Sequence, residues 1–254
     1  MSWKTNIVTV CVAIILLSAT RLSHAGDDQS ARETVERIAR LLVAKSSIAT
    51  LTMQISNDNG KHDLSMKVWS AGSEDVLLRI LTPPAEANTA VLKIDNDVWY
   101  YLPKTNRTVK VPAAMTMNTW LGSDFTVDDL VKESFLAQDY TVVNSFHGDR
   151  GGVAVDEYTL TPKSDAVVVW GKIVLQVRQA NQMPAWQGYY DEDGKLVREL
   201  TFSDYKTMGG RLIPTRLLMR PTDRAGAQTT IVYDDVVFDA PITEGTFAVN
   251  NLPR

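Results

Sequence analysis

His62 and His147 are the only histidines beyond the first 25 residues, and imidazole is the side chain best suited to metal binding and to acid-base work near neutral pH. They lie far apart in sequence, each in a predicted hairpin, and a zinc site draws three or four such ligands. Exposed turn residues are the better reading. Asp124, Asp128 and Asp129 form a second cluster, with the chemistry for proton transfer or calcium. They stand where a predicted helix begins, and there negative charge is favoured by the helix itself, so capping accounts for them better. No G-x-S-x-G elbow, phosphate loop or G-x-G-x-x-G occurs, and nothing supports a Ser-His-Asp arrangement. The expectation is a protein that is not an enzyme, with no metal and no cofactor.

The second set of conspicuous side chains is bulky and apolar: Trp69, Trp99, Tyr101, Trp120 and Trp186, with Met66, Met115 and Met117. Core packing is the expectation for Trp69 and Trp186. Trp120 differs, because Thr116 to Thr119 before it and Gly122-Ser123 after it read as irregular loop, and a large aromatic on a loop needs a cover. The methionines nearby suit occupants of variable shape, since flexible thioethers repack at low cost. Val98, Tyr100 and Leu102 alternate with Trp99 and Tyr101, so both faces of that strand are apolar or aromatic, which implies a cavity or a cover. Arg79, inside Val76 to Leu81, either faces a headgroup at a cavity rim or, as such residues do more often, points outward to solvent. Arg79, Trp99, Tyr101, Met115, Met117 and Trp120 are therefore the candidate ligand-binding residues, and Met115 to Asp124 is the candidate movable cover.

These residues must be held by β-structure. Ser30-Ala31-Arg32-Glu33 has the form of a capping box, and Val35, Ile38, Ala39 and Leu42 follow at helical spacing. After Ser46 the period becomes two. Leu51, Met53 and Ile55 alternate with polar residues, Asn59-Gly60 turns the chain, and Leu64, Met66 and Val68 return. Similar segments recur at 75–82, 89–94, 97–102, 106–111, 140–146, 153–161, 171–179, 185–191, 195–205, 211–220 and 229–238. Asp193-Gly194 and Gly209-Gly210 mark two of the turns. A second helix is predicted over Thr126 to Ala137, capped by Asp124 or Thr126, with Val127, Leu130, Val131 and Phe135 as its apolar stripe. Roughly a dozen consecutive strands with few helices exclude a parallel α/β sheet. They favour a mainly β fold, one strongly curved antiparallel sheet or open barrel covered by helices.

Residues 1–25 carry Lys4, an apolar run from Ile7 to Leu17, and Ser23-His24-Ala25, the pattern of a secretory signal peptide cut after Ala25. A membrane anchor needs about 20 apolar residues, more than this run offers. Val10 before Cys11 stands where lipid attachment calls for a small residue, so Cys11 is expected to be an ordinary apolar-region residue. Removal of Lys4 and Arg21 would leave 24 basic against 30 acidic residues, a formal charge of −6, which argues against nucleic acid or an anionic membrane surface as partner. The only cysteine would leave with the signal, so core burial alone must hold residues 26–254, expected as one domain.

VWYYLPKTNRTVKVP at 98–112, WLGSDFTVDDL at 120–130 and FSDYKTMGGRLIPT at 202–215, continued by TTIVYDDVVFDAPITEGTFAVNNL, resemble the LolA-like family of periplasmic outer-membrane lipoprotein-sorting proteins. The resemblance implies an incomplete, half β-barrel of about eleven antiparallel strands closed by helices, with an interior that holds acyl chains. It further implies a periplasmic lipid or lipoprotein carrier that hands its cargo to an outer-membrane acceptor. The GSDFT segment resembles a branch linked to exporters of the resistance-nodulation-division (RND) type. Membrane contact would be peripheral. A second class of function stands beside this, a protein-interaction or envelope-stress sensor subunit of a membrane complex, and gene neighbourhood would separate the two.

Overall fold

Beginning at Ser46, alternating apolar and polar side chains put one face of each strand in water and bury the other, so the strands assemble side by side. The computed structural model describes residues 28–131, 136–166 and 168–252. Residues 1–27, with the expected signal peptide, Cys11 and the expected cleavage site after Ala25, and also Phe135 lie outside the described residues. The strands of the first half are β1 (Ser46–Asn57), β2 (Gly60–Ala71), β3 (Asp75–Thr82), β4 (Ala90–Ile94), β5 (Asp97–Leu102) and β6 (Arg107–Val111). Those of the second half are β7 (Tyr140–Arg150), β8 (Val153–Pro162), β9 (Lys172–Arg178), β10 (Pro184–Tyr190), β11 (Leu196–Met208), β12 (Arg211–Pro221) and β13 (Gln228–Phe238). Every segment expected from the alternation forms a strand. The family resemblance, with about eleven strands, falls short of the 13 present in the sheet.

All 13 belong to one antiparallel sheet in the order β6-β5-β4-β3-β2-β1-β13-β12-β11-β10-β9-β8-β7. The first and last strands are neighbours at its middle, while β6 and β7 are its two edges. The sheet is curved and does not close into a barrel. Every consecutive pair except β6 and β7 is a hairpin of neighbours, so residues 112–139 must travel from one edge to the other. Among the described residues, 120–131 run across the inner face. Asn57 Nδ2, at the end of β1, donates to the Gly122 carbonyl at 3.2 Å, and the Asp124 amide donates to Thr229 Oγ1 of β13 at 2.9 Å.

Three helices accompany the sheet among the described residues: α1 (Gln29–Ala39), α2 (Val127–Val131) and α3 (Leu136–Asp139). The predicted helix over Thr126 to Ala137 is thus seen as α2 and the start of α3, with 132–135 outside the described residues. The cap of α1 is Asp28, not Ser30. Its carboxylate accepts from the Ser30 and Ala31 amides at 3.0 and 3.3 Å, and a charged acceptor is favoured at a helix start. Ser30 lies within the first turn, where its carbonyl accepts the Thr34 hydroxyl. The Asp28 amide and the Arg32 guanidinium donate to the Val142 and Tyr140 carbonyls, covering the start of the β7 edge. Ala31 and Val35 of α1 and Val127 and Val131 of α2 are buried with Met53, Leu64, Met66, Ile80 and Leu160 in the main core, so both helices lie on the inner face. None of the helices in the described residues is long and apolar enough to cross a membrane.

Candidate functional site

Between the inner face and the two covering helices lies a cavity of about 290 Å³, near the lower end of the size range of ligand pockets. Val35, Ile38 and Leu42 line it from α1 and the segment that follows, and Phe125, Leu130 and Val131 from the crossover. Strand residues from β1 to β3 and from β9 to β13 form the opposite wall. The lining holds no Lys, Arg, His or Cys, and its one carboxylate is Asp129. Its other polar groups are the hydroxyls of Ser47, Ser70, Tyr189 and Tyr233 and the amide of Gln187. A wall of this kind favours hydrocarbon and repels an unpaired ion.

Asp129 is spoken for. Thr126 caps α2, its hydroxyl accepting from the Asp129 amide at 3.1 Å, while the Asp129 carboxylate accepts from the Thr126 amide at 2.8 Å. This reciprocal box is the capping role expected for the acidic cluster. The same carboxylate receives both terminal nitrogens of Arg198 on β11, at 2.7 and 2.8 Å. Arg198 packs against both Trp170 and Tyr189, 4.7 and 4.3 Å from their centroids, and the two rings also meet each other at 5.2 Å. Burial of Arg198 works against its charge, but the hydrogen bonds and charge of Asp129 outweigh that and raise its pKa. Tyr189 is pushed well above the usual tyrosine range, chiefly by burial. Asp124 is not a cap. Its carboxylate accepts from Arg224 at 2.6 Å and from the Thr229 hydroxyl at 2.7 Å, which fastens the crossover to the middle of the sheet.

None of the six residues singled out in the sequence lines this cavity. Arg79, Trp99 and Tyr101 are on the opposite, outer face, because each is out of phase with the inward residues Leu78, Val98 and Tyr100. The doubly apolar strand has a core on one side and a cover on the other. That cover is the segment 240–252, whose Phe247, Val249 and Leu252 pack on Leu77, Leu92, Trp99 and Tyr101, while Arg79 Nη2 donates to the Leu252 carbonyl at 3.0 Å. Met115 is half exposed, at 51 %, and Met117 is partly buried. Trp120 is 3 % exposed and belongs to the main core. Its segment is tightly bonded: the Trp120 amide donates to the Phe125 carbonyl, the Ser123 amide to the Trp120 carbonyl, and Leu121 and Gly122 take positive φ of 49° and 76° to make the turn. An aromatic waiting at a cavity mouth is therefore not what the crossover presents.

Trp69 packs against the outer cluster, and Trp186 lies over Gly188 on the outer face of β10, its Nε1 donating to Glu199 at 3.0 Å. His147 pairs with Asp156 at 2.6 Å on the surface, and no group of three or more metal-binding side chains occurs among the described residues. The sequence reading missed Ser47, Ala49, Ser70 and Gln187. A signal was present: carried back in phase, the run Leu51, Met53, Ile55 includes Ala49 and Ser47, and the run Leu64, Met66, Val68 includes Ser70. Small side chains at inward positions leave volume unfilled.

Comparison with solved structures finds the same fold. A domain from Vibrio parahaemolyticus named for outer membrane lipoprotein sorting is 24% identical, covers 91% of this chain and is covered over 100% of its own, with a TM-score of 0.76. A DUF1329 family protein from Desulfovibrio piger is 19% identical over 88% of this chain and 98% of its own, TM-score 0.77. A LolA superfamily protein from Nitrosomonas europaea is 19% identical over 85% and 96%, TM-score 0.70. Among curated proteins nothing matches. Residues 72–254 match the model of a family described as "-like: Uncharacterized protein", the DUF1329 family. With that match over most of its length, the chain belongs to the DUF1329 family, and its curved sheet has the fold of the lipoprotein-sorting and LolA superfamily structures.

Proposed function

We propose that this protein is a periplasmic carrier that shelters acyl chains of a lipid or lipoprotein in the cavity beneath α1 and α2 and passes them to an envelope partner. The observation that carries the reading is the lining, apolar on the sheet side and on the helix side and without a basic group. Each buried CH₂ contributes about 0.8 kcal/mol, so a partly enclosed chain reaches micromolar affinity after the costs of association. No covalent step is needed, and the single carboxylate of the lining is already held by Arg198. The LolA-like fold supports the carrier role, and the pattern of residues 1–25 supports export and cleavage after Ala25. An exporter of the RND type is the partner to test first, on the strength of the GSDFT segment.

The test uses the full chain produced with its leader and purified from the periplasm. Native mass spectrometry with lipid extraction identifies what is bound. Displacement of a fluorescent apolar probe by amphiphiles sharing one headgroup then gives affinity against chain length. Affinity rising with each added CH₂ supports the carrier; affinity independent of chain length refutes it.

A further inference from the structure

The cavity wall carries a pair of hydroxyls that the carrier reading leaves unused. Ser47 and Ser70 are directly opposite each other on β1 and β2, both more than nine-tenths buried and both lining the cavity, with their hydroxyl oxygens 2.8 Å apart. Cross-strand hydroxyl pairs of this kind stabilise a sheet modestly. Two hydroxyls carry two protons, however, and one hydrogen bond between them uses only one. Neither hydroxyl makes a further hydrogen bond among the described residues. The pair thus keeps one O–H donor without an acceptor in an apolar wall formed locally by Leu42, Ala49, Val68, Val76 and Phe238. Leaving a buried donor unsatisfied costs about 1–3 kcal/mol, which an occupant bearing an acceptor would recover.

The acceptor must be neutral. With no Lys, Arg or His in the lining, a carboxylate or phosphate brought beside the serines would lose its hydration without gaining a counter-charge. The pair sits one residue in from the start of β1 and from the end of β2, at the rim of the sheet. A chain lying lengthwise in the cavity would leave its linking group there, with its charged head beyond. We propose that Ser47 and Ser70 form a subsite for the carbonyl oxygen of an ester or amide, so that the cavity selects acyl chains over ether-linked or plain hydrocarbon chains. This rests on the carrier reading and specifies its cargo.

The experiment compares two ligands that differ only at the linkage: palmitoyl lysophosphatidylcholine and its O-hexadecyl ether, each displacing the same fluorescent apolar probe from the full protein. The ester is expected to bind about three- to tenfold more tightly, the range of one net hydrogen bond. In the double variant Ser47→Ala, Ser70→Ala, which keeps strand and volume, that preference is expected to vanish while the ether binds as before. Equal binding of ester and ether to the unaltered protein overturns the subsite and leaves the carrier standing. An ester preference that survives in the double variant also overturns it. Failure of both ligands to bind refutes the carrier and the subsite together.

Discussion

Arg198 and Asp129 meet in a two-point ion pair, 2.7 and 2.8 Å, that joins β11 to the first turn of α2. Asp129 also completes the helix cap, so one carboxylate holds both the helix and its attachment to the sheet. Removing one partner of a buried pair costs more than the pair contributes, because the other charge is left without compensation. Asp129→Asn is expected to destabilise by about 3–5 kcal/mol, read by urea unfolding. A loss below about 1 kcal/mol, the range of an exposed pair, would show that Arg198 finds another partner or water.

Trp120→Ala is expected to lower stability by about 3–5 kcal/mol, the cost of emptying a core site of that size. Ligand affinity per folded molecule should change little, since Trp120 is buried in the main core and does not line the cavity. Urea unfolding and probe displacement on the same preparation separate the two effects. A stable variant with impaired binding would return Trp120 to the role of a cover.

A Cβ on Gly188 would stand 2.2 Å from the outer edge of the Trp186 ring. Gly188→Ala should therefore push the indole off its bond to Glu199 and cost about 1–3 kcal/mol. In a Trp186→Ala background the same change should be nearly free, and a double-mutant cycle measures the difference. Additive effects would mean that the strain has another source.

Burial raises the Tyr100 and Tyr140 hydroxyls from 10.0 to about 12 and moves Tyr189 higher still. A raised pKa on an acid means that the folded state holds the proton more tightly, so this stability is intact below pH 10 and is lost as pH rises towards 12. Unfolding free energy is expected to fall across that interval. Tyr100→Phe should flatten the decline, and an unchanged slope would assign the loss to other groups.

Leu252 is 1 % exposed, where segment 240–252 closes over the outer face. Leu252→Ala is expected to cost about 2–5 kcal/mol and to shift Trp99 emission to the red as water reaches the indole. Binding in the cavity on the other side of the sheet should be unaffected. An unshifted spectrum would mean that Phe247 and Val249 suffice to keep the face dry.

The strands, their order of appearance and, where one face is polar, the inward phase were determined by the sequence alone, because a period of two is a local property of a pleated backbone. The helix opened at Thr126 was equally local, since its capping box spans four residues. Which face of a doubly apolar strand meets the main core is not local. Trp99 and Tyr101 alternate with Val98 and Tyr100 as equals, and only the return of the chain end over the outer face makes one pair a shielded exterior and the other the interior. Trp120 reads as loop because its neighbours are small and polar, yet residues 112–139 must join the two edges of an open sheet, and that path carries the indole into the core. The pairing of β1 with β13 brings together residues nearly the whole chain apart. Asp124 with Thr229, and Asp129 with Arg198, exist only once that closure is made, and a pattern confined to a few residues carries no record of contacts at such range.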